Sequence, residues 1–488
     1  MKQLTFFLAF FIICNTAISQ TVTGKIVDSN NNPIPYVTLQ IGANYGVITN
    51  DEGLFTLEID NFSETDTVSI SCLGYKSQEH QLSGFTKTSY TLEDSISELS
   101  EVFITNKQLS IEEILINVRA NISKNYSNLG KQRVFMRASN HYNLEDFNFE
   151  IAKSTNFKKS KIKEINRTIE DTKGSVIGKN SSHYVDVLFD LARDSDSTKV
   201  NVVKATKLVN KDKDLSAEAV NGKMIKQTLS VLDSSATYKL KTGLFTIEDS
   251  LKVGSFYKDS ANPETGKTLD LRNGVANIIR NNTLIENSRL DFIFDDKGYD
   301  YKIEGISYIN EDATYNISFK PNKRSAKYSG KMFINTSDFA VVKMEYQFAE
   351  NRTGNKVNLK LLLGIKYEEN NYRSTVIFKR NENDIYDLYF ISQENGNYVY
   401  FSRSLKFIRN NRPEQKDTQN LKLKFMLEQI SNSKSELFFI DKQPLSTVAE
   451  FKVDEEYPVM YISKYDASIW KNYSVLSPVQ DIVDYNMN

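Results

Sequence analysis

Enzymes draw most of their proton-transfer, nucleophilic and metal chemistry from histidine, cysteine and facing carboxylates. The first two are scarce here: 488 residues hold three histidines, His80, His141 and His183, and two cysteines, Cys14 and Cys72. The third residue after each histidine is Ser83, Leu144 or Asp186, so no His-x-x-Glu zinc pair exists. Neither a Gly-x-Ser-x-Gly elbow nor a His-Glu-x-x-His helix occurs. Adjacent acids such as Glu368/Glu369 and Glu455/Glu456 carry little information, because a glycosidase pair faces across a cleft from separate elements. Ala261 to Thr268 fits a loose phosphate-loop pattern with Ala in first position, but Phe256 to Ser260 is too polar for the buried strand that must precede such a loop, so a surface turn is expected. In Val68, Ser69, Ile70, Ser71, Cys72 the alternation puts the thiol on the apolar face, as a buried structural cysteine. No catalytic residue, metal site or cofactor is expected, and the chain reads as a non-enzyme.

The elements around these residues come next. The length calls for at least two domains. With 40% hydrophobic and 25% charged residues the chain should fold, and 61 basic against 62 acidic side chains exclude the global positive field of a nucleic-acid binder. Lys2, the apolar run from Leu4 to Cys14, and Ala17, Ile18 and Ser19 have the order of a secretory signal, with cleavage expected after Ser19. The run is short of the ~20 apolar residues of a spanning helix, so no transmembrane segment is expected in the mature chain. Ile13 before Cys14 disfavours lipidation. Export to the periplasm or outer membrane is the expectation, with the cell surface as an alternative.

From Thr21 to about Leu92, short alternating segments are separated by turns at Asp28 to Pro33 and Asn50 to Gly53, which predicts a small antiparallel sandwich. Its core is expected to hold Ile26, Val37, Leu39, Phe55, Leu57, Val68, Ile70 and Cys72. The string Val22, Gly24, Lys25, Ile26, Val27, Asp28, then Pro33 to Val37, Thr49 to Phe55, Ser71 to Tyr75 and Leu99 to Val102 resembles the carboxypeptidase regulatory-like domain. That resemblance implies a transthyretin-like β-sandwich, a non-catalytic accessory module common in Bacteroidetes outer-membrane and surface proteins.

Ser110, Ile111, Glu112, Glu113 reads as a capping box, and Ile111, Ile114, Leu115, Val118, Ile122 and Tyr126 continue at helical spacing as a linker helix. Residues 133 to 410 alternate as strands: Val342, Met344, Tyr346 and Phe348 in one, Val357, Leu359, Leu361, Leu363, Ile365 and Tyr367 in another, with Ile303 to Ile309, Tyr315 to Phe319, Arg373 to Phe378, Ile385 to Ile391 and Tyr398 to Phe407 beside them. Asn351 to Gly354 and Asn395 to Asn397 read as turns between strands. Such a sheet must cover its apolar face with helices or curl round a cavity. Phe319, Lys320, Pro321, then Ser325 to Lys331, Ile334 to Ala340 and Trp470 to Tyr473 resemble the periplasmic part of an uncharacterised Bacteroidetes family whose sheet is similar to the lipoprotein-carrier (LolA-like) half-barrel. The longer members of that family continue into an outer-membrane barrel, for which the stretch after the last clear strand is too short.

The fold class expected is therefore mainly β. The division is a signal peptide at 1–19, the sandwich at 20–105, a linker helix at 106–130, a β-rich domain at 131–412 and a C-terminal extension at 413–488. The resemblance implies that Val342, Met344, Tyr346, Leu359, Leu361, Leu363 and Ile365 line a site for a lipid or other amphipathic ligand, an outer-membrane protein being the other partner considered. Two basic clusters, Lys158, Lys159, Lys161, Lys163 and Arg167, and Lys320, Lys323, Arg324, Lys327 and Lys331, read as solvated faces within strand or loop segments that could touch acidic headgroups. The functions weighed are an envelope binding or scaffold protein, a structural or adhesive surface protein, and a hydrolase.

Overall fold

A computed structural model describes residues 21–42, 45–97, 109–127, 130–155, 157–178, 180–194, 197–209, 229, 232–243, 245–253, 265–309, 312–410, 418–443 and 451–485. Residues 1–20, with the expected signal peptide, and residues 98–108 lie outside this set. The chain divides into two compact units: residues 1–96 with 308–311 and 466–483, and residues 97–307 with 312–465 and 484–488.

The first unit is the expected sandwich. Its strands are β1 (Thr21–Val27), β2 (Thr38–Ile41), β3 (Tyr45–Ile48), β4 (Leu54–Glu58), β5 (Thr67–Ser71), β6 (Gln78–Gln81) and β7 (Ser89–Thr91). They form a three-stranded sheet, β4-β1-β7, and a four-stranded one, β3-β2-β5-β6. Alternation along each strand sends Ile26, Val37, Leu39, Phe55, Leu57, Val68, Ile70 and Cys72 into one buried cluster, the core expected from the sequence. The turn at Asn50 to Gly53 is held by Asn50 Oδ1, which accepts from the amides of Glu52 and Leu54 at 2.9 and 3.0 Å.

The C-terminal part of the chain corrects the domain division. Residues 466–483 belong to the sandwich unit, not to a separate extension. Asn50 Nδ2 donates to the carbonyls of Ser477 and Pro478, the Asn472 amide donates to Glu58, and the Gln480 amide donates to Glu52. Trp470, Leu476 and Ile482 are almost fully buried. Each of the edge acids and the turn asparagine thereby gains a main-chain partner that no local pattern announces.

The second unit is β-rich. Its elements are α1 (Ile111–Asn125), β8 (Gly130–Ser154), α2 (Lys159–Val176), β9 (Asn180–Arg193), β10 (Thr198–Val209), β11 (Thr237–Thr242), β12 (Phe245–Lys252), α3 (Thr268–Asn282), α4 (Asp291–Phe294), β13 (Tyr299–Ile309), β14 (Asp312–Pro321), β15 (Tyr328–Asn335), β16 (Val341–Phe348), β17 (Lys356–Leu359), α5 (Lys360–Leu363), β18 (Ile365–Arg380), β19 (Tyr386–Arg409), β20 (Thr418–Gln443) and β21 (Met460–Ile462). One sheet runs β21-β10-β9-β8-β20-β19-β18-β16-β15-β14-β13, with β11 on the flank of β19 and β17 on β18. Among the described residues it does not close into a barrel. β20, placed by sequence in the extension, is a central strand between β8 and β19.

Of two expected breaks, one is absent. Asn395 to Asn397 is not a turn: β19 runs through it, with Gly396 opposite Asn371 and Asn432 beside a one-residue bulge in β18. A side chain at Gly396 would meet Asn370 Oδ1, Asn371 Cβ and Asn432 Oδ1 within 2.8 Å, so glycine there marks close approach, not chain reversal. The expected turn at Asn351 to Gly354 is present, with Asn351 in the left-handed region at φ 59°.

The capping box of α1 forms as read, with the Glu113 amide donating to Ser110 Oγ and the Ser110 amide to Glu113 Oε2. Ile114, Leu115 and Val118 are buried, and Arg119 donates to the Ile293 carbonyl of α4. Helix α3 crosses the sheet, packing on β10 at one end and β19 at the other. At ~1.5 Å per residue its 15 residues span ~22 Å, close to the ~19 Å of four inter-strand steps.

Candidate functional site

The seven residues expected to line one site separate into two environments. Val342, Met344 and Tyr346 lie on β16 within the covered sheet interior and are buried. Leu359, Leu361, Leu363 and Ile365 are not on one continuous strand. The chain leaves β17 at Leu359, makes the single helical turn α5 and returns as β18 from Ile365, so Leu359 pairs with Ile365. Gly364 permits the reversal: it stands at φ 60°, its amide donates to the Lys360 carbonyl, and a Cβ there would sit 2.1 Å from the Ser402 carbonyl. Leu363 and Ile365 are half-buried, whereas Leu361 and Leu362 are 102% and 81% exposed. The period-two pattern misled because a hairpin whose apex is one helical turn preserves the alternation on each side of it.

The interior around Tyr346 is filled by the chain itself. Tyr328, Tyr346 and Tyr372 are in mutual ring contact, and Phe292 of α4 stacks on Phe319 with centroids 4.1 Å apart. The polar atoms among these rings are saturated by Asn282 at the end of α3. Its Oδ1 accepts from Tyr346 Oη at 2.8 Å and Ser374 Oγ at 2.6 Å, and its Nδ2 donates to Gln393 Oε1 at 2.9 Å. Burial pushes the Tyr346 and Tyr372 hydroxyls up from their ordinary range, so both stay protonated as donors. Arg289 pairs with Glu369 at 2.7 Å and lies over the Tyr372 ring at 4.3 Å. A second charged cluster crosses β8, β9 and β20. Arg137 makes two bonds to Asp186, at 2.8 and 2.7 Å, Arg133 pairs with Asp190, and Lys434 pairs with Glu436. Desolvation opposes the Arg137 charge, but the Asp186 carboxylate outweighs it and holds the guanidinium ionised. Paired and hydrogen-bonded throughout, these groups fix the sheet's register.

The histidines do not converge. His80 sits against Phe85 and Tyr90 in the sandwich, His141 hydrogen-bonds Ser182, and His183 stacks on Tyr142. No group of metal-ligating side chains occurs among the described residues. Helix α3 does open at Thr268, as a phosphate loop would require, but residues 265–267 pair as a strand with 456–458 and the Thr268 amide donates to the Glu455 carbonyl. The Thr268 amide at the helix start is therefore committed to the protein's own backbone.

What remains open is the far end of the long strands. There β8, β19 and β20 run past α3 to a second apolar cluster of Phe147, Phe149, Ile151, Phe407, Leu421 and Leu423, covered by Ile162, Ile165 and Ile169 of α2. Lys158, Lys159, Lys161, Lys163 and Arg167 thus belong to a helix and its N-cap, not to a strand or loop, and they lie on the α2 side of the sheet. On the opposite face, register places Lys241 of β11 opposite Lys406 of β19, Lys406 opposite Lys422 of β20, and Lys422 opposite Lys153 of β8. Beside this row α5 projects Leu361 and Leu362, and Lys360 lies 3.8 Å over the Tyr400 ring on the same face as Lys406. The tip of β12 adds exposed Phe245 and Ile247. The row was missed because it is drawn from three separate stretches of sequence, at Lys153, at Lys241 and at Lys406 with Lys422, which only strand pairing joins. The other basic cluster, Lys320 to Lys331, spans the β14–β15 turn.

Residues 22–104 match the family model of the CarboxypepD_reg-like domain, a non-catalytic regulatory fold, which agrees with the N-terminal resemblance. No curated protein matches the chain.

Proposed function

We propose that the chain is a non-enzymatic binding or scaffold protein of the cell envelope, exported without residues 1–19, whose β-rich unit works as a rigid platform. The observation that carries this is the filled sheet interior. Tyr346, Met344 and their neighbours are occupied by Asn282, Phe292 and Tyr372, which supports recognition at exposed surfaces over a ligand held inside the sheet. The regulatory-like module at residues 22–104 is a non-catalytic fold, and the saturated pairs Arg137–Asp186 and Arg289–Glu369 leave those groups no free protonation chemistry. The platform's partner in this reading is a component of the outer membrane.

Fractionation of cells producing the tagged chain, with mass spectrometry of the purified protein, tests the reading. The expected result is recovery in the envelope fraction, a mature N-terminus at or near Gln20, and a native mass equal to that of the polypeptide. Recovery from the cytosol with Met1 in place overturns the envelope assignment. A co-purifying acyl ligand at one per chain returns the sheet interior to the role of a container.

A further inference from the structure

Deepening that reading, we infer that the exposed end of the β-rich unit docks on a bilayer whose headgroups carry negative charge. Leu361 and Leu362 enter the headgroup region and the row Lys241, Lys406, Lys422 and Lys153 lies over the phosphates.

The row is the first argument. Like charges directly opposite on paired strands repel, and here four adjacent strands carry lysine in register, each ~4.8 Å from the next. No acidic side chain pairs with any of the four among the described residues, whereas Lys424, two residues along β20 from Lys422, is paired with Glu150 at 3.0 Å. The same strands thus neutralise one lysine and leave the next row without a carboxylate, Lys153 exposed and Lys241, Lys406 and Lys422 half-buried. An external anion satisfies that arrangement.

The second argument is the tip, which separates a lipid surface from a soluble polyanion. Leu361 is as accessible as in an extended chain and Leu362 is largely exposed, both held out by a turn that Gly364 and the Ser402 amide fix in place. From Ser402 to Lys406 is four residues, ~13 Å along β19, so tip and row fall within one footprint. Lys360 stands in the turn itself, over the Tyr400 ring, while Lys356 and Lys366 on the hairpin strands share Glu368, so the cations that accompany the leucines are Lys360 and the row. Apolar anchors beside cations are the pattern that binds a bilayer interface. The hairpin tip of β11 and β12 lies along the same flank of β19, since Thr242 pairs with Leu405, and brings Phe245 and Ile247 to that side.

The test uses the full mature chain sedimented with vesicles of phosphatidylcholine, with or without phosphatidylglycerol. Wild type is expected to sediment only with the anionic vesicles and to be released when salt rises from about 0.1 M to about 0.5 M. Lys406→Gln/Lys422→Gln is expected to weaken binding by at least about tenfold, from the contribution of each lysine near an anionic surface. Leu361→Ser/Leu362→Ser, at positions too exposed to matter for folding, is expected to weaken it by about tenfold with an unchanged melting curve. Lys159→Gln/Lys163→Gln, on the other side of the sheet, is expected to stay within about twofold of wild type. The inference is overturned if wild type ignores anionic vesicles, if neither the row nor the tip variant loses binding, or if the loss follows the α2 variant. Retention on a sulfated polysaccharide that the tip variant keeps, without vesicle binding, would identify a soluble polyanion and also overturn it. A chain found in the envelope that does not bind vesicles defeats this inference alone; one that binds vesicles yet fractionates with the cytosol defeats the envelope reading alone.

Discussion

The two units bury different chemistry. The sandwich holds one cluster of aliphatic and aromatic side chains from Ile26 to Leu92, with Thr49, Asn50 and Ser477 as its buried polar members. The β-rich unit buries Arg137, Asp186, Asn282, Glu369, Gln393 and Glu436. In the first, hydrophobic alternation suffices to set which face turns inward. In the second, strands of up to 26 residues must be held in one register over their whole length, and specific pairs such as Arg137–Asp186 and Tyr346–Asn282 mark the points where a slip would strand a charge or a hydroxyl.

The sharpest way to break this contrast is to remove one side chain from each interior. Phe55→Ala in the sandwich should cost about 3 to 5 kcal/mol, because a fully buried ring leaves a cavity; a loss below about 1 kcal/mol in a urea titration would place Phe55 outside the core. Arg137→Met in the β-rich unit should cost a similar ~3 to 5 kcal/mol for a different reason, the uncompensated Asp186 carboxylate left behind. Adding Asp186→Leu should recover most of that loss, since the pair itself contributes little net stability. If the double variant is no better than the single, the pair does more than satisfy its own burial.

Legibility in the sequence followed the same division. All eight core residues expected for the sandwich are buried, because each strand is short, has one wet face and is bounded by turn residues with a mechanism, such as the Asn50 turn. The capping box at Ser110 was equally local. In the β-rich unit, strand existence was readable from alternation but strand length was not, since Asn395 to Asn397 has turn composition inside β19. The strap at 466–483 and the lysine row were out of reach, as each depends on pairing between segments distant in sequence, such as Asn50 with Ser477 and Lys153 with Lys422. The expected ligand-lining set failed as a set at Gly364, where a backbone reversal outweighed an apolar pattern.

That split set supplies the next test. Met344→Ala should cost about 2 to 5 kcal/mol, the range for a buried methionine, while Leu361→Ala should change stability by no more than about 0.5 kcal/mol. Equal losses at the two positions would mean that the hairpin tip packs against the unit instead of projecting from it.

The smallest expected effects are in the pH dependence of the β-rich unit, where two carboxylates should act in opposite senses. Burial raises the Asp291 carboxyl above its ordinary value, and the hydrogen bond from Tyr299 Oη at 2.8 Å only partly offsets it. A folded value above the unfolded one means that the Asp291 contribution is complete below the unfolded value and is lost as pH rises through the folded one. Burial also pushes Glu345 upward, but the Lys343 ammonium at 2.6 Å outweighs it and leaves the carboxyl lowered. The Glu345 contribution is therefore present above the ordinary carboxylate range and lost as pH falls through the depressed value. Relative to wild type, Asp291→Asn should gain stability as pH rises from about 3 to about 7, and Glu345→Gln should lose it. The Glu345 slope should be the shallower and should weaken in salt, because its side chain is 43% exposed and the pair is screened. Urea titrations of both variants across that range read the two slopes directly. Slopes of the same sign would remove Lys343 as the partner that decides the Glu345 charge.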